Sequence, residues 1–162
     1  MEGKYRVGRN NILLNILVTF FYLKILLIYE IQMSKDLLLD LFEKVNRKQI
    51  FDEELFSFLE LIFPGKSANV LDVLTKGIKK YIYKPSNRIV WAAMGKKKEH
   101  LVYPRIFCSC QDFYKTVVVY KKRNFCKHIL AQIISEALNR FKTIELDDNK
   151  FKEFVRDLKL HL

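Results

Sequence analysis

The stretch from Cys108 to His128, CSCQDFYKTVVVYKKRNFCKH, carries all three cysteines of the chain and one of its three histidines. They form two short pairs, Cys108 with Cys110 and Cys126 with His128, separated by fifteen residues. Residues two apart point to the same side of an extended backbone, so each pair can act as one jaw of a clamp. Three thiolates and one imidazole suit tetrahedral zinc, with bonds of roughly 2.3 Å to sulfur and 2.0 Å to nitrogen. Four protein ligands leave no open position, which points to structural rather than catalytic Zn2+. Such a centre carries a formal charge of −1, and Lys121, Lys122, Arg123 and Lys127 flank the second jaw to offset it. The competing readings are three reduced cysteines packed as small core residues and a Cys/His nucleophilic site. For the latter no orienting third group or oxyanion loop is in view. An odd count leaves no room for a pair of disulfides.

The CxC…CxH arrangement resembles the SWIM-type zinc finger, with Cys108, Cys110, Cys126 and His128 at the four ligand positions, Phe113 between the jaws, and a Cys-Lys-His-Ile-Leu run opening a helix. Further similarity lies in Leu59 to Gly65, in the helix-like run Ala68 to Leu74, and in the turn Pro85-Ser86-Asn87 before Arg88-Ile89-Val90-Trp91. In order and size the chain resembles the small single-SWIM proteins of the Shu complex, over residues 34–160. That resemblance implies a non-enzymatic accessory factor in homologous recombination and DNA repair, nuclear, pairing with a RecA-like recombinase paralogue to promote filament assembly on single-stranded DNA. The alternative from another class is a stand-alone zinc-dependent DNA-binding module of transposase-like origin.

The chain has 162 residues, 50% hydrophobic and 29% charged, with a formal charge of +11. This describes one globular domain with a modest core. The basic balance suits nucleic acid or an acidic partner, and lysine also serves solubility. Residues 12–31 are apolar and follow Lys4, Arg6 and Arg9, as a signal anchor or spanning helix would. Asn15, Thr19, Lys24 and Glu30 interrupt that run, and a buried charge at Lys24 is costly in a bilayer, so a membrane role is not expected. Met33 followed by the capping residue Ser34 instead suggests that residues 1–32 are an apolar leader, an upstream extension with a membrane anchor as the alternative, and 33–162 the domain, with the zinc finger at about 100–140.

From Ser34 on, Leu38, Leu41, Phe42 and Val45 recur at helical spacing. Asp52 can cap a second helix through Leu55, Phe58, Leu59 and Ile62, which Pro64-Gly65 ends; Ser67 can cap a third, ending at Gly77. Ile78 to Lys84, Arg88 to Met94 and His100 to Phe107 read as three antiparallel strands. Residues 111–125 fit either a strand or a short helix. A strong amphipathic helix follows through Leu130, Ile133, Ile134, Ala137, Leu138 and Phe141. Asp147 or Asp148 then caps a last helix with Phe151, Phe154, Val155 and Leu158. The expected class is α+β: N-terminal helices, a small three-stranded antiparallel sheet, the zinc clamp and C-terminal helices.

Basic clusters at Lys79-Lys80, Lys96-Lys97-Lys98 and Lys121-Lys122-Arg123 lie near Tyr83, Trp91, Tyr103, Tyr114 and Tyr120 in sequence. Together they suggest a cationic surface with stacking platforms for single-stranded DNA. Lys96, Lys97, Lys98, Lys121, Lys122 and Arg123 are the candidate contacts, against the plain reading of lysines on solvent loops and aromatics in a core. His100 and His161 have no partner at ligand spacing and read as ordinary polar positions. Asp112, Glu136 and Asp72 form no acid/base pair, and no phosphate-binding glycine loop is present, so no enzyme activity is expected. Phe56, Leu61 and Phe63 lie off the main stripe of their helix, where they either touch a partner or fill the core.

Overall fold

The computed structural model describes residues 10–159, with side chains described from residue 16 on except 27, 29–36, 154 and 157–159. The chain divides into two compact units after Asp36. In the first, the described residues are helical, and ten apolar side chains between Ile16 and Ile28 are exposed. No helix among the described residues is long and apolar enough to cross a membrane. Helix α1 runs from Asn10 to Lys48 without a break. Ser34 therefore lies inside a helix and does not cap one, because the helix-forming residues before it continue the same turn pattern.

In the second unit, α1 buries Leu38, Leu41 and Val45 along one stripe, as the spacing predicts. Helix α2 (Glu53–Ile62) begins where the Asp52 carboxylate accepts a hydrogen bond from the Leu55 N–H at 2.9 Å. That bond satisfies one of the open donors of the first turn. Helix α3 (Ser67–Lys76) starts one residue earlier than expected: Ser67 is inside it, and its hydroxyl donates to Glu60 instead of capping. The Gly65 N–H donates to the same Glu60 carboxylate, so one side chain ties the α2–α3 turn together. Gly77 closes α3 at φ 98°, a conformation that favours glycine.

The expectation of a three-stranded antiparallel sheet is corrected. Five strands form one mixed sheet in the order β4-β3-β2-β1-β5: β1 (Ile78–Lys84), β2 (Arg88–Met94), β3 (Glu99–Tyr103), β4 (Phe107–Cys108) and β5 (Lys142–Asp147). The first four are antiparallel neighbours, and the single span read as His100 to Phe107 is two strands joined by a turn. Strand β5 pairs parallel to β1, with Lys79 opposite Lys142 and Lys84 opposite Asp147. Its KTIELD sequence alternates polar and apolar residues but holds only Ile144 and Leu146 to bury, which is little signal for a non-local pairing.

Helix α4 (Lys127–Ala137) crosses one face of the sheet and also packs on α3. Because side chains alternate along a strand, Trp91, Ala93, Val102 and Cys108 join its core, while Tyr83, Val90 and Leu101 form a second cluster on which Phe151 of α5 (Asp148–Lys159) packs. Phe141 lies past the end of α4 and packs edge-on against Trp91 at 4.8 Å. Asp147 does cap α5, accepting from the Asn149 N–H at 2.8 Å. Asp148 instead accepts the Ser86 N–H and hydroxyl, joining α5 to the β1–β2 turn. Val155 is half-buried, and the side chains of Phe154 and Leu158 lie outside the described residues.

Leu130, fully buried on α4, and Leu61, 75% exposed on α2, should separate core from surface. Leu130→Ala is expected to cost about 3 kcal/mol, read as a lower urea midpoint, because it leaves a cavity in a packed core. Leu61→Ala is expected to stay within about 0.5 kcal/mol.

Candidate metal centre

The two jaws come from different elements, the end of a strand and the start of a helix. Cys108 ends β4, and Cys110 follows in the turn after it. Ser109 fixes that jaw to β3: its N–H donates to the Leu101 carbonyl at 3.0 Å, and its hydroxyl accepts the Leu101 N–H at 2.9 Å. Cys126 is the extended residue that starts α4, and His128 sits in the first helical turn. One ligand atom from each of Cys108, Cys110, Cys126 and His128 lies within 4.8 Å of every other, and all four residues are buried. The His128 Nδ1 is 3.8 Å from the Cys108 sulfur. Two ligands of a tetrahedral zinc, one sulfur and one nitrogen, would be about 3.6 Å apart given its bond lengths. The Nδ1 edge thus faces the sulfurs, while the buried Nε2 has no hydrogen-bond partner.

The protonation of the sulfurs shows that the cluster suits a cation. Hydrogen bonds from the Cys108 and Cys126 thiols hold the Cys110 thiol below its usual range. Hydrogen bonding to Cys110, then to Cys126, together with burial, pushes Cys108 up. Burial pushes Cys126 up to about 12. Burial and the closeness of the three sulfurs therefore oppose their ionising together. Three thiolates coexist here only if a positive ion lies among them. The Phe113 N–H donates to the Cys110 sulfur at 3.2 Å, and the Ile129 N–H favours the Cys126 thiolate, as amides at a helix start do. These residues fit zinc, whose role as a Lewis acid or as a structural tie depends on whether a ligand position stays open.

The chain is 31% identical over 123 residues to the zinc finger SWIM domain-containing protein 7 homolog of Dictyostelium discoideum, covering 74% of this chain and 78% of that one. It belongs to that family of SWIM-type zinc finger proteins. The mouse zinc finger SWIM domain-containing protein 7 is 23% identical over 128 residues, 78% of this chain and 84% of its own. The human protein of the same name is 25% identical over 111 residues, 66% and 77%. No family model matches the chain, and no solved structure matches it significantly.

Around the centre of this SWIM protein, the other polar candidates are distributed unevenly. Lys96, Lys97 and Lys98 are exposed in the β2–β3 turn, and Lys121 and Lys122 are exposed after the segment between the jaws. Arg123 is not free: it pairs with Asp112 at 2.6 Å, also donates to Thr116, and lies 5.2 Å from the Phe63 ring. Lys79 pairs with Glu99, and Lys80 lies over the Trp91 and Phe141 rings. Of the aromatic residues, Tyr83 and Trp91 are core, whereas Tyr103, Tyr114 and Tyr120 are exposed. Phe63 is buried, while Phe56 and Leu61 are on the surface. Asp72 pairs with Lys76, and Glu136 accepts from Gln132.

Residues 111–125, left open between strand and helix, contain a wide helix at Phe113–Val119. Its end is closed by an i to i−5 bond from the Tyr120 N–H to the Lys115 carbonyl. His100 is the residue that spacing does not reveal. Its ring packs against that of His128 at a tilt of 48°, with centroids 4.6 Å apart. Burial, and then the His128 ring, hold it below the usual histidine range, which favours the neutral form. His161 lies outside the described residues.

Elemental analysis of purified protein is expected to find one zinc per chain, and Cys126→Ala or His128→Ala to lose most of it. Zinc affinity should fall as pH falls, because binding must displace the protons on the raised Cys108 and Cys126 thiols. The limiting slope is about two decades per pH unit, measurable by chelator competition across pH.

Proposed function

We propose that this SWIM protein is a non-enzymatic accessory factor in homologous recombination and DNA repair. It pairs with a RecA-like recombinase paralogue, promotes recombinase filament assembly on single-stranded DNA, and acts in the nucleus. The observation that carries the reading is the buried CxC…CxH cluster, in a chain related along most of its length to zinc finger SWIM domain-containing protein 7. The resemblance to the small single-SWIM subunits of the Shu complex supplies the partner. Zinc is assigned a structural role: four buried ligands from a strand end and a helix start fill its shell and hold sheet to helix. The chain then contributes shape and charge, and nucleotide chemistry belongs to the partner.

Two surfaces support this division of labour. Phe56 and Leu61 are exposed on α2 and offer apolar contacts to a protein. Tyr114 and Tyr120 are exposed beside Lys121 and Lys122, and Lys96 to Lys98 form a second cationic turn. Aromatic faces with lysines suit bases and phosphates of a single strand. The same residues favour the second reading, a stand-alone DNA-binding module of transposase-like origin.

Copurification separates the two. Tagged protein from its native cell is expected to bring down a stoichiometric RecA-like ATPase; tight autonomous DNA binding with no such partner would favour the stand-alone module. Replacing Lys96, Lys97 and Lys98 by Ala should flatten the dependence of log affinity for single-stranded DNA on log salt by about two units. An unchanged slope would assign those lysines to solubility.

A further inference from the structure

A metal-bound histidine is usually held by a hydrogen bond from its second ring nitrogen to a carboxylate, carbonyl or water, which fixes the tautomer and the ring orientation. In His128 that nitrogen, Nε2, is buried and has no hydrogen-bond partner among the described residues, so packing against the ring is what orients it. The ring of His100 is in position to supply it, 4.6 Å away and tilted 48° to the His128 ring. His100 sits near the start of β3, opposite Ala93 of β2, and this pairing sets where its side chain begins. Its own Nδ1 is also buried without a partner, so no hydrogen bond at that atom draws the ring elsewhere.

Behind His100 stands Gly95. A Cβ at that position would come within 2.5 Å of His100 Nε2, 2.8 Å of its Cδ2 and 3.0 Å of the Lys98 carbonyl oxygen. The Gly95 N–H also donates to that carbonyl at 2.9 Å and closes the turn. Its φ is not in the left-handed region, so space rather than backbone freedom calls for glycine here. The imidazole of His100 thus packs against both the close backbone of Gly95 and the ring of His128.

We propose that His100 is a positioning residue of the metal centre: wedged against Gly95, its ring holds the His128 imidazole with Nδ1 toward the three sulfurs. The inference rests on the reading of the cluster as a zinc site. It adds two residues that the CxC…CxH spacing does not contain, and it links the ligand cage to the turn that carries Lys96, Lys97 and Lys98.

The test uses the full chain loaded with zinc, and separately with Co2+, whose visible bands report ligand geometry. His100→Ala is expected to bind zinc at least about tenfold more weakly against a chelating dye and to shift the Co2+ bands, the usual effect of removing outer-shell support. His100→Phe keeps a flat ring and is expected to stay within about threefold of the unaltered chain. Gly95→Ala should behave like His100→Ala, because the added methyl displaces the ring. An unaltered zinc affinity and Co2+ spectrum in His100→Ala would overturn the proposal. So would a His100→Phe chain as weak as His100→Ala. Should His100→Ala not fold, the other two variants decide by the same criteria, strong binding in His100→Phe with weak binding in Gly95→Ala supporting the brace and the opposite order refuting it. Absence of zinc from the unaltered chain is a different result, seen before any variant is made, and it removes the zinc reading itself.

Discussion

Three sulfurs confined with an imidazole in a buried space less than 5 Å across cannot all be anions unless a cation is among them. Much of the second unit depends on that condition. Strand β4 is two residues long, and a strand so short holds its place only if something other than its ladder fixes it. The fixing contacts are the Ser109 bonds to Leu101 and the ligand pair Cys108 and Cys110. The second ligand pair starts α4, the helix whose face covers β1 to β4 and touches α3. On the proposed reading, zinc therefore joins the edge of the sheet to the helix at its centre. The free energy of binding the ion is then part of the free energy of folding.

The same clamp presents the segment between its jaws. Asp112 and Arg123 pair across the base of that segment, and Thr116 accepts from the Lys122 and Arg123 amides through its carbonyl. With its base closed, the segment exposes Tyr114, Val118, Val119 and Tyr120. Apolar side chains held outward on a short, tied helix differ from those of a free loop, because little ordering entropy is left to lose on binding. Geometry fixed at the Cys/His cluster thus reaches a surface several residues away.

How much of this was legible in the sequence follows from the range of each interaction. The pairs Cys108–Cys110 and Cys126–His128, the Asp52 cap, the Gly77 stop and the β1–β2 hairpin are local patterns; the two pairs meet in one buried cluster, and the others are found where their spacing places them. Strand β5 escaped because its partner, β1, lies some sixty residues earlier and its own pattern holds two apolar residues. Ser34 looks like a cap only if the chain before it is not helical, which a short window cannot decide. Tyr83 and Trp91 have the same composition signal as Tyr114 and Tyr120, yet the first pair faces packed layers and the second faces water. His100 has no ligand spacing, so only strand pairing brings it to His128.

The charge balance needs the same separation of internal from free groups. Of the basic clusters, Lys79 pairs with Glu99, Lys80 lies over two rings and Arg123 closes the inter-jaw segment, so these cations are engaged within the fold. The field of Lys127 reaches both Asp72 and His100, that of Lys96 reaches Asp72, and that of Lys98 reaches His100. Lys98 and Lys127 therefore lie near His100, the residue beside His128. The two ion pairs are neutral as units, so the net charge of +11 resides in the cations outside them. Lys96, Lys97, Lys98, Lys121 and Lys122 are exposed, and exposed cations are the ones whose field an external anion meets.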